Sequence, residues 1–262
     1  MKIRFTSYVK AVLFATLLAA QVTCSGSSGG SDQPATHAGA HWSYSGETGP
    51  EHWGDLDPAW ETCKTGANQS PIDITDPLYS EAANTSFFYT ASKGTVVNNG
   101  HTIMFTPDSG GYMTIGGERY DLLQIHFHSP SEHLLYSSQF DMEGHLVHKS
   151  ASGRYAVVAT FFANGAANDA VNAIWGLASD AENKETAMTE PLDPSALLFY
   201  QKSYFRYEGS LTTPPCSEGL VWIVLQGVMT ASPDQFNKLT GLFGPNARPT
   251  QPLNGRTPSF SR

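Results

Sequence analysis

From about His41 onward the sequence is a succession of short apolar runs broken by turn signals. Thr95-Val96-Val97 leads into Asn98-Asn99-Gly100, and residues 112–115 lead into Gly116-Gly117. Residues 122–128, 155–162 and 220–227 repeat the pattern. Runs of this length bounded by Gly, Pro and Asn read as β-strands. The 24 Gly and 16 Pro supply the turns. Helical periodicity is weaker and concentrates in two places: residues 167–178, through Val171, Ile174, Trp175 and Ala178, and residues 233–242. No repeat, linker or change of composition interrupts residues 41–262, and 262 residues at 40% hydrophobic can bury one large core. The expectation is a single mostly β (α+β) domain over 41–262, with short peripheral helices.

The charge balance narrows the function classes. Fifteen Lys and Arg stand against 24 Asp and Glu, a net charge of -9, with no basic run. No nucleic-acid partner is expected. The chain opens with Lys2, Arg4 and Lys10, followed by an almost wholly apolar stretch over 11–20 that ends in small residues. It is too short for an ordinary membrane span and reads as an export signal over 1–20. Residues 21–40 are expected to be a Ser/Gly-rich tether. Cys24 stands at its start, where a lipid anchor would sit, although Gln21-Val22-Thr23 is a poor version of the small-residue site that usually precedes one. Anchored and released forms both stay open; export is common to them. An exported chain meets an oxidising compartment, so Cys63 and Cys216 are expected to pair, leaving Cys24 as the odd cysteine. Two free buried thiols are the alternative.

The most informative segment is Leu122-Leu123-Gln124-Ile125-His126-Phe127-His128. Successive strand side chains point to opposite faces. Strict alternation therefore puts Leu123, Ile125 and Phe127 on an apolar face, and Gln124, His126 and His128 on the other. Two imidazoles two residues apart on one strand face can reach one ion. Glu143-Gly144-His145-Leu146-Val147-His148 offers a third. His145, on the face of Glu143 and Val147, is the better ligand, and His148, facing away with Leu146, is the decoy. Three neutral imidazoles with an open fourth position make a catalytic zinc site, whereas a structural one is closed by four protein ligands. Each ligand also needs an acceptor for its second ring nitrogen. Gln124 precedes His126 by two residues, and Glu143 precedes His145 by two.

These motifs resemble those of the α-class carbonic anhydrases. The resemblance runs through Trp42-Ser43-Tyr44, Gly49-Pro50-Glu51-His52-Trp53, Gln69-Ser70-Pro71-Ile72, the two histidine segments, Ser131-Glu132-His133, Leu211-Thr212-Thr213-Pro214-Pro215 and Gln251-Pro252-Leu253. It implies a central, mostly antiparallel twisted sheet of about ten strands with the metal at the base of a conical cleft. It also implies zinc as cofactor and reversible hydration of carbon dioxide to bicarbonate and a proton by zinc-activated water. By the same resemblance Thr212 orients the attacking oxygen and donates its own proton to Glu132. Val147, Val157, Leu211, Thr213 and Trp222 match the wall of the substrate pocket. His101 matches the proton shuttle, and Tyr44, Asn99 and Gln124 the positions that order the water leading to it. Met104 stands where many relatives carry a polar residue, which implies a drier cleft. The cysteine pair matches the disulfide of exported members, and related bacterial enzymes make a homodimer the expectation.

Overall fold

The computed structural model describes residues 40–80, 84–201 and 203–262. The expected export signal, Cys24 and all of the expected tether except Ala40 lie outside the described residues. The strands are β1 (Asp73–Ile74), β2 (Leu78–Tyr79), β3 (Thr85–Tyr89), β4 (Gly94–Asn98), β5 (Ile103–Pro107), β6 (Gly111–Ile115) and β7 (Glu118–His128). They continue with β8 (Leu134–Leu135), β9 (Met142–Ser150), β10 (Tyr155–Asn164), β11 (Glu185–Ala187), β12 (Tyr204–Ser210), β13 (Glu218–Ala231) and β14 (Ser259–Ser261). Twelve of them form one sheet, ordered β11-β4-β5-β7-β9-β10-β13-β12-β14-β2, with β6 beside β7 and β3 beside β6. β1 and β8 form a separate parallel pair. Within the large sheet β10·β13 and β14·β2 are parallel and the remaining pairings antiparallel, so the sheet is mixed but mostly antiparallel.

Strand position explains how each segment reads in sequence. β9 and β10 lie mid-sheet with both faces covered, and nearly every residue in them is buried. Cover on both faces lets β10 read as a nearly continuous apolar run, whereas β9 also buries Glu143, His145 and His148. β4 and β5 bury alternate residues. One face packs Val96, Phe105, Ile125, Phe127 and Leu146 against Ile174 and Trp175 of α3 (Asp169–Trp175). The opposite face packs Ile72, Val147, Val157, Phe161 and Trp222.

Among the described residues four α-helices lie outside the sheet: α1 (Trp53–Leu56), α2 (Thr62–Thr65), α3 and α4 (Pro233–Phe243). The last two fall on the two periodic segments. α3 starts where Asn168 Oδ1 accepts from Val171 N at 3.1 Å, and α4 has Pro233 in its first turn. Gln235 ties the two together, accepting from Asn168 N at 2.9 Å and donating to Asn172 Oδ1 at 2.8 Å. No helix among the described residues is long and apolar enough to cross a membrane.

One local expectation fails. The register between β7 and β9 shifts between Leu122 and Gln124. Such a bulge sets two residues against one and reverses the alternation beyond it. Leu122 therefore shares the core with Ile125 and Phe127, while Leu123 is 38% exposed.

Candidate metal centre and active-site cleft

Sheet register brings the three histidines together. His126 on β7 lies directly opposite His145 on β9, and His128, one pleat along, faces Glu143. In each ring one nitrogen is already engaged. His126 Nδ1 donates to Gln124 Oε1 at 2.8 Å, His128 Nδ1 to the backbone oxygen of Asn246 at 2.8 Å, and His145 Nε2 to Glu143 Oε1 at 2.7 Å. These bonds fix the tautomers and leave three lone pairs, on His126 Nε2, His128 Nε2 and His145 Nδ1. The three side chains offer ligand atoms within 4.8 Å of one another. His128 Nε2 is buried with no hydrogen-bond partner among the described residues. His145 Nδ1 and His126 Nε2 approach to 3.3 Å, and with both protons elsewhere this contact is not a hydrogen bond. A bound cation would offset this repulsion, and imidazole donors suit zinc.

Burial favours the neutral form of His126 and His128. Burial pushes His126 well below the ordinary histidine range, and its neighbours His128 and His145 push the same way. Burial also lowers His128, against the opposing pull of Glu132. Burial alone would raise Glu143, but the His133 and His145 rings and their hydrogen bonds outweigh it and hold the carboxyl well below its usual range. Glu143 Oε1 also accepts from His133 Nδ1 at 2.7 Å, and its Oε2 accepts from the backbone N–H groups of Glu132 and His133, both at 2.8 Å. His148 lies apart from this group, bonded through Nε2 to the Tyr89 hydroxyl at 2.8 Å.

Two adjoining cavities open over the histidines and share Gln124, His126 and Thr213. The more apolar one, about 330 Å³, is walled by Val147, Val157, Leu211 and Trp222, with Thr212 beside them. Register again explains the wall: Val147 pairs with Val157, and Val157 with Trp222, in one row across β9, β10 and β13. Leu123, displaced by the bulge, joins its rim. The second cavity, about 120 Å³, is lined by Tyr44, Asn99, His101 and Met104. The His101 ring stacks on Trp42 with centroids 3.7 Å apart. Burial lowers its pKa, as does nearby His41, against the opposing charge of Glu182. Asn99 Oδ1 accepts from His101 N at 3.0 Å and Thr102 N at 2.9 Å, which shapes the turn carrying the ring.

Glu132 is buried behind the histidines. Its Oε1 accepts from Arg248 N at 2.8 Å, while Oε2 is buried with no hydrogen-bond partner among the described residues. Thr212 is buried too, at the start of the turn that Cys216 N closes onto Thr213 O at 2.9 Å. Cys63 on α2 and Cys216 form the expected disulfide.

Sequence reasoning missed Asn246, Arg248 and Tyr207. Asn246 holds His128 through its backbone oxygen and accepts from Ser129 N at 2.7 Å through Oδ1. Tyr207 Oη meets His133 Nε2 at 2.6 Å and donates to Ser70 Oγ at 2.9 Å. These partners come from distant chain segments, and no local spacing marks them.

The fold and the histidine centre define one class of protein, and comparison with known proteins specifies it. The sequence pattern of eukaryotic-type carbonic anhydrases matches residues 48–261. The carbonic anhydrase of Klebsiella pneumoniae is 42% identical over 226 residues, 85% of this chain and 92% of that one. The structure of the α-carbonic anhydrase of Thermovibrio ammonificans, in complex with sulfanilamide, matches with a TM-score of 0.82 at 43% identity. The match covers 85% of this chain and all (100%) of that one. A hyperthermostable carbonic anhydrase from a hydrothermal vent chimney gives a TM-score of 0.83 at 40% identity, over 85% of this chain and 100% of that one. The chain belongs to the α-carbonic anhydrase family, enzymes that hydrate carbon dioxide.

Proposed function

We propose that this enzyme hydrates carbon dioxide with a zinc ion held by His126, His128 and His145, and that His101 carries the released proton away. The observation that carries the reading is the set of three lone pairs turned on one another while every second ring nitrogen is engaged elsewhere. When bound, zinc supplies the Lewis acidity that brings the pKa of water to about 7, a value that belongs to carbonic anhydrases as a class and not to this chain in particular. Neutral ligands leave that charge undiminished, which a carboxylate ligand would not.

The remaining work falls to the chain's own residues. The apolar wall of Val147, Val157, Leu211 and Trp222 receives the linear, apolar substrate and, with Thr213 at its edge, holds its carbon near the histidine centre. Thr212 accepts a hydrogen bond from the attacking oxygen and donates its own proton to Glu132 Oε2, the buried acceptor that has no other partner among the described residues. An ionised carboxylate only accepts, so this pair fixes the direction of both bonds. As water oxygen bonds to carbon, the reaction releases bicarbonate and one proton. That proton crosses water ordered by Tyr44, Asn99 and Gln124 to the His101 imidazole, a group suited to exchange near neutrality. Met104, set opposite His126 in the register, makes this side of the cleft less polar.

The same reading places the enzyme outside the cytoplasm, as a homodimer, released or lipid-anchored through Cys24. The disulfide supports the location, since such bonds persist in oxidising compartments. Light scattering checks the dimer and intact mass the lipid. Stopped-flow hydration with metal analysis, before and after chelation, tests the central reading. Zinc and activity should leave together and return together; full hydration activity in metal-free protein overturns it. Ester turnover on the same sample separates this reading from an exported ester hydrolase.

A further inference from the structure

One carboxylate near the cleft mouth has no part in the scheme above. The loop between α3 and β11 is tied to Asn98: Asn98 Nδ2 donates to Ser179 O at 3.2 Å and Asp180 O at 3.4 Å, and Asn183 N donates to Asn98 O at 2.7 Å. The same buried side chain accepts from Gly100 N at 2.9 Å through Oδ1. A single residue therefore sets both the loop and the turn that carries His101.

The result is that the exposed Glu182 lays its carboxylate against Gly100. A β-carbon on Gly100 would stand 3.2 Å from Glu182 Cδ, 3.3 Å from Oε1 and 3.4 Å from Oε2. Gly100 also has φ +85°, so glycine here serves both the turn and the approach of the carboxylate. The His101 ring is held on Trp42. Among the described residues the titratable groups acting on it are His41, which disfavours the imidazolium, and Glu182, which favours it.

We propose that Glu182 is a positioning residue for proton exit, its carboxylate stabilising the imidazolium of His101 at the cleft mouth and guiding its proton to solvent buffer. This rests on the reading of His101 as proton carrier. The step is proton transfer alone: an O–H bond of cleft water breaks as a ring N–H forms, and a ring N–H then breaks as the buffer base takes the proton. Because Glu182 is exposed, its influence is modest and screened by salt.

NMR titration of the His101 ring in wild type and Glu182→Gln, paired with stopped-flow hydration in dilute buffer, tests the proposal. The amide keeps the packing against Gly100 and removes the charge. The His101 midpoint should fall in Glu182→Gln, and the gap from wild type should close in molar salt. Turnover in dilute buffer should drop roughly two- to fivefold, with no further drop in a His101→Ala background. An unchanged midpoint, or equal slowing in the His101→Ala background, overturns the role of Glu182. Wild-type turnover in His101→Ala alone overturns the underlying reading as well, and is told apart because the midpoint reports the Glu182 coupling by itself.

Discussion

Glu143 gathers four donors: the rings of His133 and His145 on one oxygen and two backbone N–H groups on the other. Replacing it by Gln turns an N–H donor toward some of these donors and frees the His145 ring. Glu143→Gln should weaken zinc binding by about 10- to 100-fold, measured by competition with a chromophoric chelator. Unchanged affinity would contradict the assigned role. Because the folded protein holds this carboxyl well below its ordinary 4.5, the stability it contributes is present above that pH and is lost as pH falls below it. Thr212→Ala should slow hydration about a hundredfold through misdirected attack while zinc stays bound, checked by metal content beside rate. At this scale the offset of two residues marked Gln124 and Glu143 as partners of His126 and His145. The partner of His128 had no such mark, because Asn246 lies 118 residues away and contributes a backbone oxygen, which any residue type supplies.

Strand β9 shows how one element serves two faces. Glu143, His145 and Val147 look into the site, and His148 looks into the opposite core, where its Nε2 meets Tyr89. Burial drives His148 down to about 3 from 6.5. A histidine kept neutral in the fold but free to protonate when unfolded stabilises fully above pH 6.5, and this stability is lost as pH falls from there toward about 3. His148→Gln retains a hydrogen-bonding group for Tyr89 and should flatten that part of the stability–pH curve in denaturant titrations. An unchanged slope would contradict the account. The period-2 pattern made the faces of β9 readable, because its strand is regular through His145 and His148. On β7 the same rule failed at Leu123, because a bulge is a tertiary accommodation between neighbouring strands and leaves no residue type that announces it. The direction of the pairings was equally hidden: β10 carries a buried apolar run of the kind either arrangement allows, yet pairs parallel with β13.

Across the whole molecule, the Cys63–Cys216 bond spans 153 residues and joins α2 to the turn that carries Thr212. Closing so long a loop is worth on the order of 4–5 kcal/mol as an upper figure. Reduction should lower the thermal midpoint by on the order of 10 °C while leaving zinc affinity within about twofold. The three histidines proposed to hold the metal sit on strands of the sheet and not on this turn. A large loss of metal with little loss of stability would contradict that division. The strand-rich character was readable from turn chemistry, but the convergence of the cleft was not. It depends on β9 setting His145 opposite His126, a register set by the whole sheet. Diffraction at the zinc edge on the holoenzyme tests the central claim most directly. The account predicts a single strong anomalous peak about 2.0–2.1 Å from His126 Nε2, His128 Nε2 and His145 Nδ1. A peak ligated elsewhere, or none in an active crystal, would contradict it.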